Sequence, residues 1–148
     1  MPEIAGTLQT DPRSGGVKRS SGVNVLPEVA DAWKEVRDDQ NKDVDWILVG
    51  YKDGSKTDMT LIEKGNGGLD VVSTKLRVDS GEPFFGGVKL LGKNRFVQFL
   101  YIHEDNCPAM KRGRTLMYKN GVYNVLEGCD GEIEIAPNMT EADVGAVR

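Results

Sequence analysis

The chain has 148 residues, of which 39% are hydrophobic and 28% are charged. These values indicate one globular domain with its own core, and no apolar run approaches the roughly 20 residues of a membrane helix. The net charge of −4 gives no basis for binding nucleic acid through overall charge, so any basic site must be a local patch.

Cysteine and histidine usage argues against a metal centre. Cys107 and Cys129 are far apart, no CxxC pair occurs, and His103 is the single histidine. We therefore expect free buried thiols, no metal and no cofactor. The N-terminus lacks the apolar stretch of a secretory signal, so we also expect a cytoplasmic protein.

The first segment of the chain has no periodic pattern of hydrophobic residues. Residues 1–20 are rich in Gly, Pro and Ser, and we predict a flexible extension followed by a single domain over 21–148. Pro27 favours the start of a first helix. That helix has one apolar stripe at helical spacing, formed by Val29, Ala32, Trp33 and Val36.

Short β-rich segments alternate with further helical patterns. We predict strands over residues 45–51, 59–63, 82–91, 95–103 and 132–136. A helix follows residue 68, another begins near Thr140, and the pair Gly86-Gly87 suggests a bulge or bend. The interleaving predicts an α/β fold of α+β type, with a central mixed five-stranded sheet flanked by helices on both faces.

The segment after His103 predicts a helix that begins at a cap on Asp105 or Asn106, with Pro108 in its first turn. A separate helix is expected over residues 120–126. The first of these would direct an apolar set inward and a mainly basic set outward. The inward set is Ala109, Met110, Gly113, Leu116 and Met117, and the outward set is Lys111, Arg112, Arg114 and Tyr118.

The chemistry of an enzyme is missing from the sequence. The loop at residues 65–68 is followed by Leu69, so it lacks the Lys-Ser or Lys-Thr of a phosphate-binding loop. His103 ends an apolar strand, and no carboxylate pair stands out as acid and base. We expect no enzymatic activity, although a small enzyme with an unrecognised site stays open as an alternative.

A local basic patch is the remaining functional candidate. Lys111, Arg112 and Arg114 lie within one helical turn, and no acidic residue falls between positions 111 and 119. Lys93 and Arg95 form a second basic pair at a predicted turn. Two basic spots in an acidic protein suit an acidic protein surface or anionic lipid headgroups, whereas a solvated helix face is the simplest alternative.

The order of several short motifs resembles the family of actin-depolymerising factor (ADF) and cofilin proteins. Residues 21–25, Ser-Gly-Val-Asn-Val, resemble the Ser-Gly-Val-x-Val start of that family. The aromatic-bearing helix around Trp33, the strand 45–51 and the strand 95–101 are similar to its next elements in the same order. Residues 108–118 resemble its actin-binding helix, so the resemblance covers about residues 21–148.

The resemblance implies the ADF-homology fold and a protein that binds monomeric and filamentous actin and promotes filament depolymerisation. The long helix of the family inserts between two actin subdomains, and the N-terminal segment packs beside it. We therefore expect a monomer that works on the cytoskeleton, and the basic groups would also suit phosphoinositide headgroups. The resemblance also implies a set of actin-binding residues: Ser21, Gly22, Val23, Lys93, Arg95, Met110, Lys111, Arg112, Arg114, Glu141 and Asp143.

Ser21 matches the serine whose phosphorylation inactivates members of the family. A phosphate there would add roughly −1.5 to −2 charges where an acidic partner approaches. The hairpin at Gly92, the C-terminal segment and the Tyr118-Lys119 region depart from the family pattern. These departures leave open a coactosin-like protein that binds filament sides without depolymerising them, and they predict weaker severing.

Overall fold

One sheet organises the molecule. A computed structural model of the protein describes residues 22–76, 81–92, 95–103 and 105–144. Their helices and strands are, in chain order, β1 (Asn24–Val25), α1 (Pro27–Arg37), β2 (Trp46–Tyr51), β3 (Asp58–Gly65), α2 (Leu69–Val72), β4 (Phe84–Leu90), β5 (Arg95–Tyr101), α3 (Ala109–Val125) and β6 (Gly131–Glu134). Two short 3-10 turns, Ser73–Lys75 and Glu141–Asp143, complete the described elements.

The strands are arranged in the order β1-β3-β2-β4-β5-β6. The four central strands are antiparallel, whereas the two edge strands β1 and β6 run parallel to their neighbours. The predicted mixed sheet of an α+β domain is therefore confirmed. The sheet has six strands rather than five because β1 adds a two-residue edge, which is too short to show a hydrophobic period.

Side-chain alternation along β2 places a core on each face of the sheet. Ile47 and Val49 belong to the cluster that packs under α1 and α3, while Trp46 and Leu48 belong to the cluster under α2. All six residues of β2 are buried, as expected for a central strand. The helices thus cover both faces, as the sequence predicted.

The first helix forms as its apolar stripe predicts. Pro27 occupies its first turn, and Val29, Ala32, Trp33 and Val36 are buried. Trp33 also donates a hydrogen bond from Nε1 to the carbonyl of Glu127, at 2.7 Å. The helix is therefore fixed both to the sheet and to the segment that follows α3.

The prediction of a bulge at Gly86-Gly87 was wrong. Pairing of β4 with both of its neighbours is regular there, and the irregularity lies in the pairing of β2 with β3, between Leu48 and Val49. A Cβ on Gly86 would lie 2.3 Å from Phe99 Cζ, and one on Gly87 would lie 2.4 Å from a Trp33 ring carbon. The two glycines allow aromatic rings to contact the strand from opposite faces.

The two helices expected over residues 106–126 form one helix, α3. The residue before its first turn is Pro108, and neither Asp105 nor Asn106 supplies a side-chain cap. Gly121 and Val122 are buried within it, so packing against the sheet continues the helix through Asn120 and Gly121.

The helix predicted after residue 68 is shorter than its apolar spacing indicates, and the described part of the helix predicted near Thr140 is a 3-10 turn. The α2 segment is a single turn followed by the 3-10 turn Ser73–Lys75, and the C-terminal turn Glu141–Asp143 begins at a capping box on Thr140. None of the helices described is long and apolar enough to cross a membrane.

Replacement of Gly86 by Ala is expected to destabilise the domain by about 1–3 kcal/mol, because the added methyl would overpack a buried strand. The new Cβ would lie 2.3 Å from the Ile47 carbonyl oxygen as well as from Phe99. Chemical denaturation of the variant and the wild-type protein measures this loss.

Gly113→Ala is the matched control. A Cβ at Gly113 has no atom within 4 Å, and the residue lies inside α3. We expect this variant to be more stable than the wild type by about 0.5–1 kcal/mol, since alanine favours a helix over glycine. Equal stability of the two variants would contradict the packing argument.

Candidate functional site

The outer face of α3 carries an exposed apolar stripe. The exposed fractions are 85% for Met110, 53% for Leu116 and 58% for Met117. The inner face contains Thr115, Tyr118, Gly121 and Val122, all buried. The prediction that Met110, Leu116 and Met117 point inward and Tyr118 outward was therefore wrong, and the helix is turned the other way.

Contacts on the inner face explain this orientation. Tyr118 and Val122 belong to the core cluster shared with α1 and β2. Thr115 is fully buried one turn earlier, beside Tyr51. Thr115, Tyr118 and Val122 are three and four positions apart, the spacing of residues on one face of a helix. This spacing is the signal in the sequence that marks the inner face. The methionines and Leu116 formed a competing apolar pattern that concealed it.

A buried hydrogen-bonded pair connects α3 to the end of β2. The hydroxyl oxygens of Tyr51 and Thr115 are 2.8 Å apart, and Thr115 Oγ1 also donates to the carbonyl of Lys111 at 2.8 Å. Because threonine has a single hydroxyl proton, the Tyr51 hydroxyl must be the donor to Thr115. Both buried hydroxyls are thereby satisfied.

The three basic residues of α3 lie around this contact and differ in their surroundings. Lys111 Nζ lies 2.5 Å from a carboxylate oxygen of Glu82 and 5.4 Å from the centre of the Tyr51 ring. Arg114 Cζ lies 5.8 Å from the same ring centre. Arg112 donates from Nη1 to the carbonyl of Cys107 at 3.3 Å.

Helical geometry, at 100° per residue, places these three cations relative to the apolar stripe. Lys111 lies on the same side as Thr115, whereas Arg112 and Arg114 lie on opposite flanks of the stripe Met110, Leu116 and Met117. All three cations are half-buried rather than fully outward. The outer face of α3 is thus apolar in the middle with an arginine on each side.

The N-terminal part of the described chain runs beside α3. Gly22 has φ +89°, and a Cβ there would lie 3.8 Å from Tyr118 Cε1. Val23 is buried in the same cluster as Tyr118. The structure therefore brings two of the predicted N-terminal residues next to the helix, while Ser21 lies outside the described residues.

A groove of about 500 Å³ lies between α3 and the edge strand β6. Its α3 side includes Arg112, Leu116 and Lys119, and its strand side includes Glu132 and Ile133. Lys119 Nζ is 3.6 Å from a Glu132 carboxylate oxygen. The groove therefore runs from the Arg112 side of the apolar stripe to β6, the edge strand of the sheet.

The remaining predicted residues lie at the turn after β4 and in the C-terminal turn. Arg95 Nε is 3.8 Å from Asp130 Oδ2. Glu141 accepts a hydrogen bond from the Gly92 N–H at 2.8 Å, and the Asp143 carboxylate accepts one from the Thr140 N–H at 2.9 Å. Lys93 lies outside the described residues.

The two cysteine thiols are poor nucleophiles at neutral pH. Burial raises the pKa of the Cys129 thiol to about 12 and also raises the pKa of the Cys107 thiol, so both remain protonated at neutral pH. Both thiols are free. Within the described ranges, no three or more His, Cys, Asp and Glu side chains are grouped so that they could hold a metal ion.

The family model for cofilin/tropomyosin-type actin-binding proteins matches residues 22–143. The chain belongs to this family. The resemblance seen in the sequence is therefore confirmed, and the match spans every described element from β1 to the C-terminal turn. No match was found among curated protein sequences.

Solved structures of ADF, cofilin and coactosin share the fold. Coactosin from Entamoeba histolytica aligns with a TM-score of 0.69 and 24% identity, over 84% of this chain and 92% of that one. The cofilin of Streptomyces griseoflavus aligns with a TM-score of 0.62 and 13% identity, over 84% and 91%. For ADF from Toxoplasma gondii the TM-score is 0.58 and the identity 20%, over 86% and 98%.

We expect Thr115→Val to destabilise the domain more than Tyr51→Phe. The valine leaves the buried Tyr51 hydroxyl without its acceptor, which costs about 1–3 kcal/mol, whereas the phenylalanine removes a single hydrogen bond worth about 0.5–1.5 kcal/mol. Chemical denaturation of both single variants and the double variant measures the difference. A double variant whose loss equals the sum of the two single losses would contradict the contact.

Proposed function

We propose that this domain binds actin through the outer face of α3. The observation that carries the proposal is the exposed stripe Met110, Leu116 and Met117 in a member of a family of actin-binding proteins. Large apolar side chains grouped on a surface mark interaction sites, because water contact with them is unfavourable. Methionine also adapts its shape to a partner.

The two arginines suit an acidic surface around an apolar contact. Arg112 and Arg114 would lie at the rim, where charge complementarity favours the correct partner and speeds encounter. Arginine is enriched at such contacts because its planar group pairs with carboxylates. Lys111 lies on the inner side of the helix, where it pairs with Glu82, so we assign it a smaller share of the binding energy.

The N-terminal segment would complete this surface. Gly22 is exposed beside α3, so a partner that binds this helix could reach it, whereas buried Val23 holds the segment to the core next to Tyr118. A second surface for filaments would include Lys93 and Arg95, together with Asp143 of the C-terminal turn, in which Glu141 contacts Gly92.

We further propose that binding promotes the loss of actin subunits from filaments, with strong monomer binding and weak severing. A bound protein shifts an equilibrium between two states only by its difference in affinity for them. The connection between β4, which ends at Leu90, and β5, which begins at Arg95, is short, which favours tight binding to monomers over stable binding along filaments. Such a protein would work in the cytoplasm, on the cytoskeleton, as a monomer.

A coactosin-like activity is the second candidate, in which the protein binds filament sides without removing subunits. The observation that favours it is the C-terminal segment, which in the described residues forms one 3-10 turn rather than a helix. The sequence Tyr118-Lys119-Asn120-Gly121 within α3 also departs from the family pattern.

Sedimentation with actin tests both activities, when pelleted protein and released monomer are measured together. We expect the wild-type protein to raise the amount of released monomer and to bind monomers more tightly than filaments. In the double variant Met110→Ser, Met117→Ser we expect monomer affinity to fall at least about tenfold, because exposed apolar anchors carry much of a binding energy.

Leu91→Ser is the matched control for the double variant. Leu91 is also an exposed apolar residue, at 52%, but it lies outside α3. Monomer binding should be unchanged in this variant, and folding stability of the double variant should stay within about 0.5 kcal/mol of wild type, since its positions are exposed. Filament binding without any release of monomer would support the coactosin-like activity instead, and undiminished binding by the double variant would reject the α3 surface.

We propose that phosphorylation of Ser21 weakens actin binding. The residue precedes Gly22, which lies beside Tyr118 on the flank of α3. A phosphate of roughly −1.5 to −2 charges would enter the contact that we assign to an acidic partner. Anionic phosphoinositide headgroups would compete with actin for Arg112 and Arg114 by the same charge argument.

The variant Ser21→Glu is expected to lower actin affinity by about tenfold, because an acidic group would oppose acidic groups of the partner. Ser20→Glu, one residue further from β1, adds the same charge and should have a smaller effect. Titration of labelled actin monomers with each variant measures the two affinities. Equal losses would show that overall charge, and not position 21, is responsible.

A further inference from the structure

The ring of Tyr51 has a fixed position at the end of β2. Its hydroxyl donates to Thr115 Oγ1 at 2.8 Å, and the residue is only 8% exposed. Its backbone is paired with Met59 of β3. The ring is therefore held by the sheet at one end and by α3 at the other, and it forms a rigid support for side chains that lie against it.

Two cations of α3 lie over this ring. Lys111 Nζ is 5.4 Å and Arg114 Cζ is 5.8 Å from the ring centre. A cation within about 6 Å of the centre of an aromatic ring is attracted by its negative face. A guanidinium is also less strongly hydrated than an ammonium, so it suits a site that is partly withdrawn from water. The ring thus restricts Arg114 before any partner binds.

The two cations differ in what compensates their charge. Lys111 Nζ lies 2.5 Å from a carboxylate oxygen of Glu82, whereas no carboxylate within the described ranges forms an ion pair with Arg114. The Nε atom of Arg114 is buried and has no hydrogen-bond partner among the residues that the structure describes. Because this guanidinium has already lost part of its contact with water, pairing it with an incoming carboxylate costs less desolvation than pairing a fully solvated arginine.

We propose that Tyr51 is a positioning residue for actin binding, whose ring holds the guanidinium of Arg114 for a bidentate contact with a carboxylate of actin. Since Nε is covered, that contact would use the two Nη groups. Tyr51 does not itself contact actin, because it is buried. The inference rests on the proposed function, since it assigns a role within the α3 surface. A guanidinium that is ordered before binding loses less conformational freedom in the complex, which favours affinity.

NMR of the free protein tests whether the ring holds Arg114. The Nε–H signal of this residue is identified by its loss in Arg114→Lys. We expect exchange of this proton with water to speed up at least about fivefold in Tyr51→Leu, which removes the ring, and less than about twofold in Tyr51→Phe, which keeps it. Tyr51→Met, with an unbranched apolar side chain, replaces the leucine variant in all measurements if that variant does not fold.

Titration of labelled actin monomers measures the effect on binding. We expect affinity to fall about tenfold in Arg114→Lys, because an ammonium keeps the charge but loses the planar pair of donors. Affinity should fall by a similar factor in Tyr51→Leu and by less than about twofold in Tyr51→Phe. In the double variant Tyr51→Leu, Arg114→Lys the loss should stay close to that of either single variant, since both changes remove the same contact.

Arg112→Lys is the matched control. Arg112 lies on the opposite flank of the apolar stripe and donates to the Cys107 carbonyl at 3.3 Å. Because the Tyr51 ring does not support this residue in the proposal, the double variant Tyr51→Leu, Arg112→Lys should show the product of its two single losses.

Two results would overturn the inference. One is an Arg114 Nε–H exchange rate in Tyr51→Leu that equals the wild-type rate. The other is a loss in Tyr51→Leu, Arg114→Lys that equals the product of the single losses, which would mean that Tyr51 affects binding only through the stability of α3. If the wild-type protein does not bind actin, the proposed function fails, but the exchange rate still decides whether the ring holds Arg114.

Discussion

The contact between Tyr51 and Thr115 determines how α3 presents its surface. Their hydroxyl oxygens are 2.8 Å apart in a buried site, and Tyr118 and Val122 continue the same face into the core. A rotation of the helix that buried Met110 and Met117 would remove Tyr118 and Val122 from the core. It would also separate the Tyr51 hydroxyl from its acceptor, which is costly in a buried site. The apolar stripe is exposed because the opposite face is fixed.

This arrangement also places the three basic residues of α3 in different surroundings. Lys111 shares the inner side of the helix with Thr115, where Glu82 and the Tyr51 ring both contact it. Arg112 and Arg114 lie on the flanks of the outer face instead. Three basic residues within one helical turn therefore do not form one uniform patch, since each projects from the helix in a different direction.

The sequence predicted correctly those helices and strands whose apolar residues follow one consistent pattern. Strand β2 is a continuous apolar run, and α1 has one stripe that ends at a polar segment, so each allowed one interpretation. The helix α3 has two apolar sets, and contacts with residues distant in sequence, in the core under α1 and at Tyr51, decide between them. The contact of Glu141 with Gly92 joins residues far apart in the chain, and no local pattern could have indicated it.

The fold alone does not decide between the two proposed activities. Structures named coactosin, cofilin and ADF align with this chain at similar TM-scores of 0.69, 0.62 and 0.58. A common sheet and a common long helix cannot by themselves account for different effects on filaments, because an effect on an equilibrium requires a difference in affinity between two states. Such a difference can arise only in the surface side chains and segments outside the shared core, among them the exposed stripe of α3. In this molecule the C-terminal turn is one such segment, and its Glu141 carboxylate accepts a hydrogen bond from the Gly92 N–H, so this turn is held close to the end of β4.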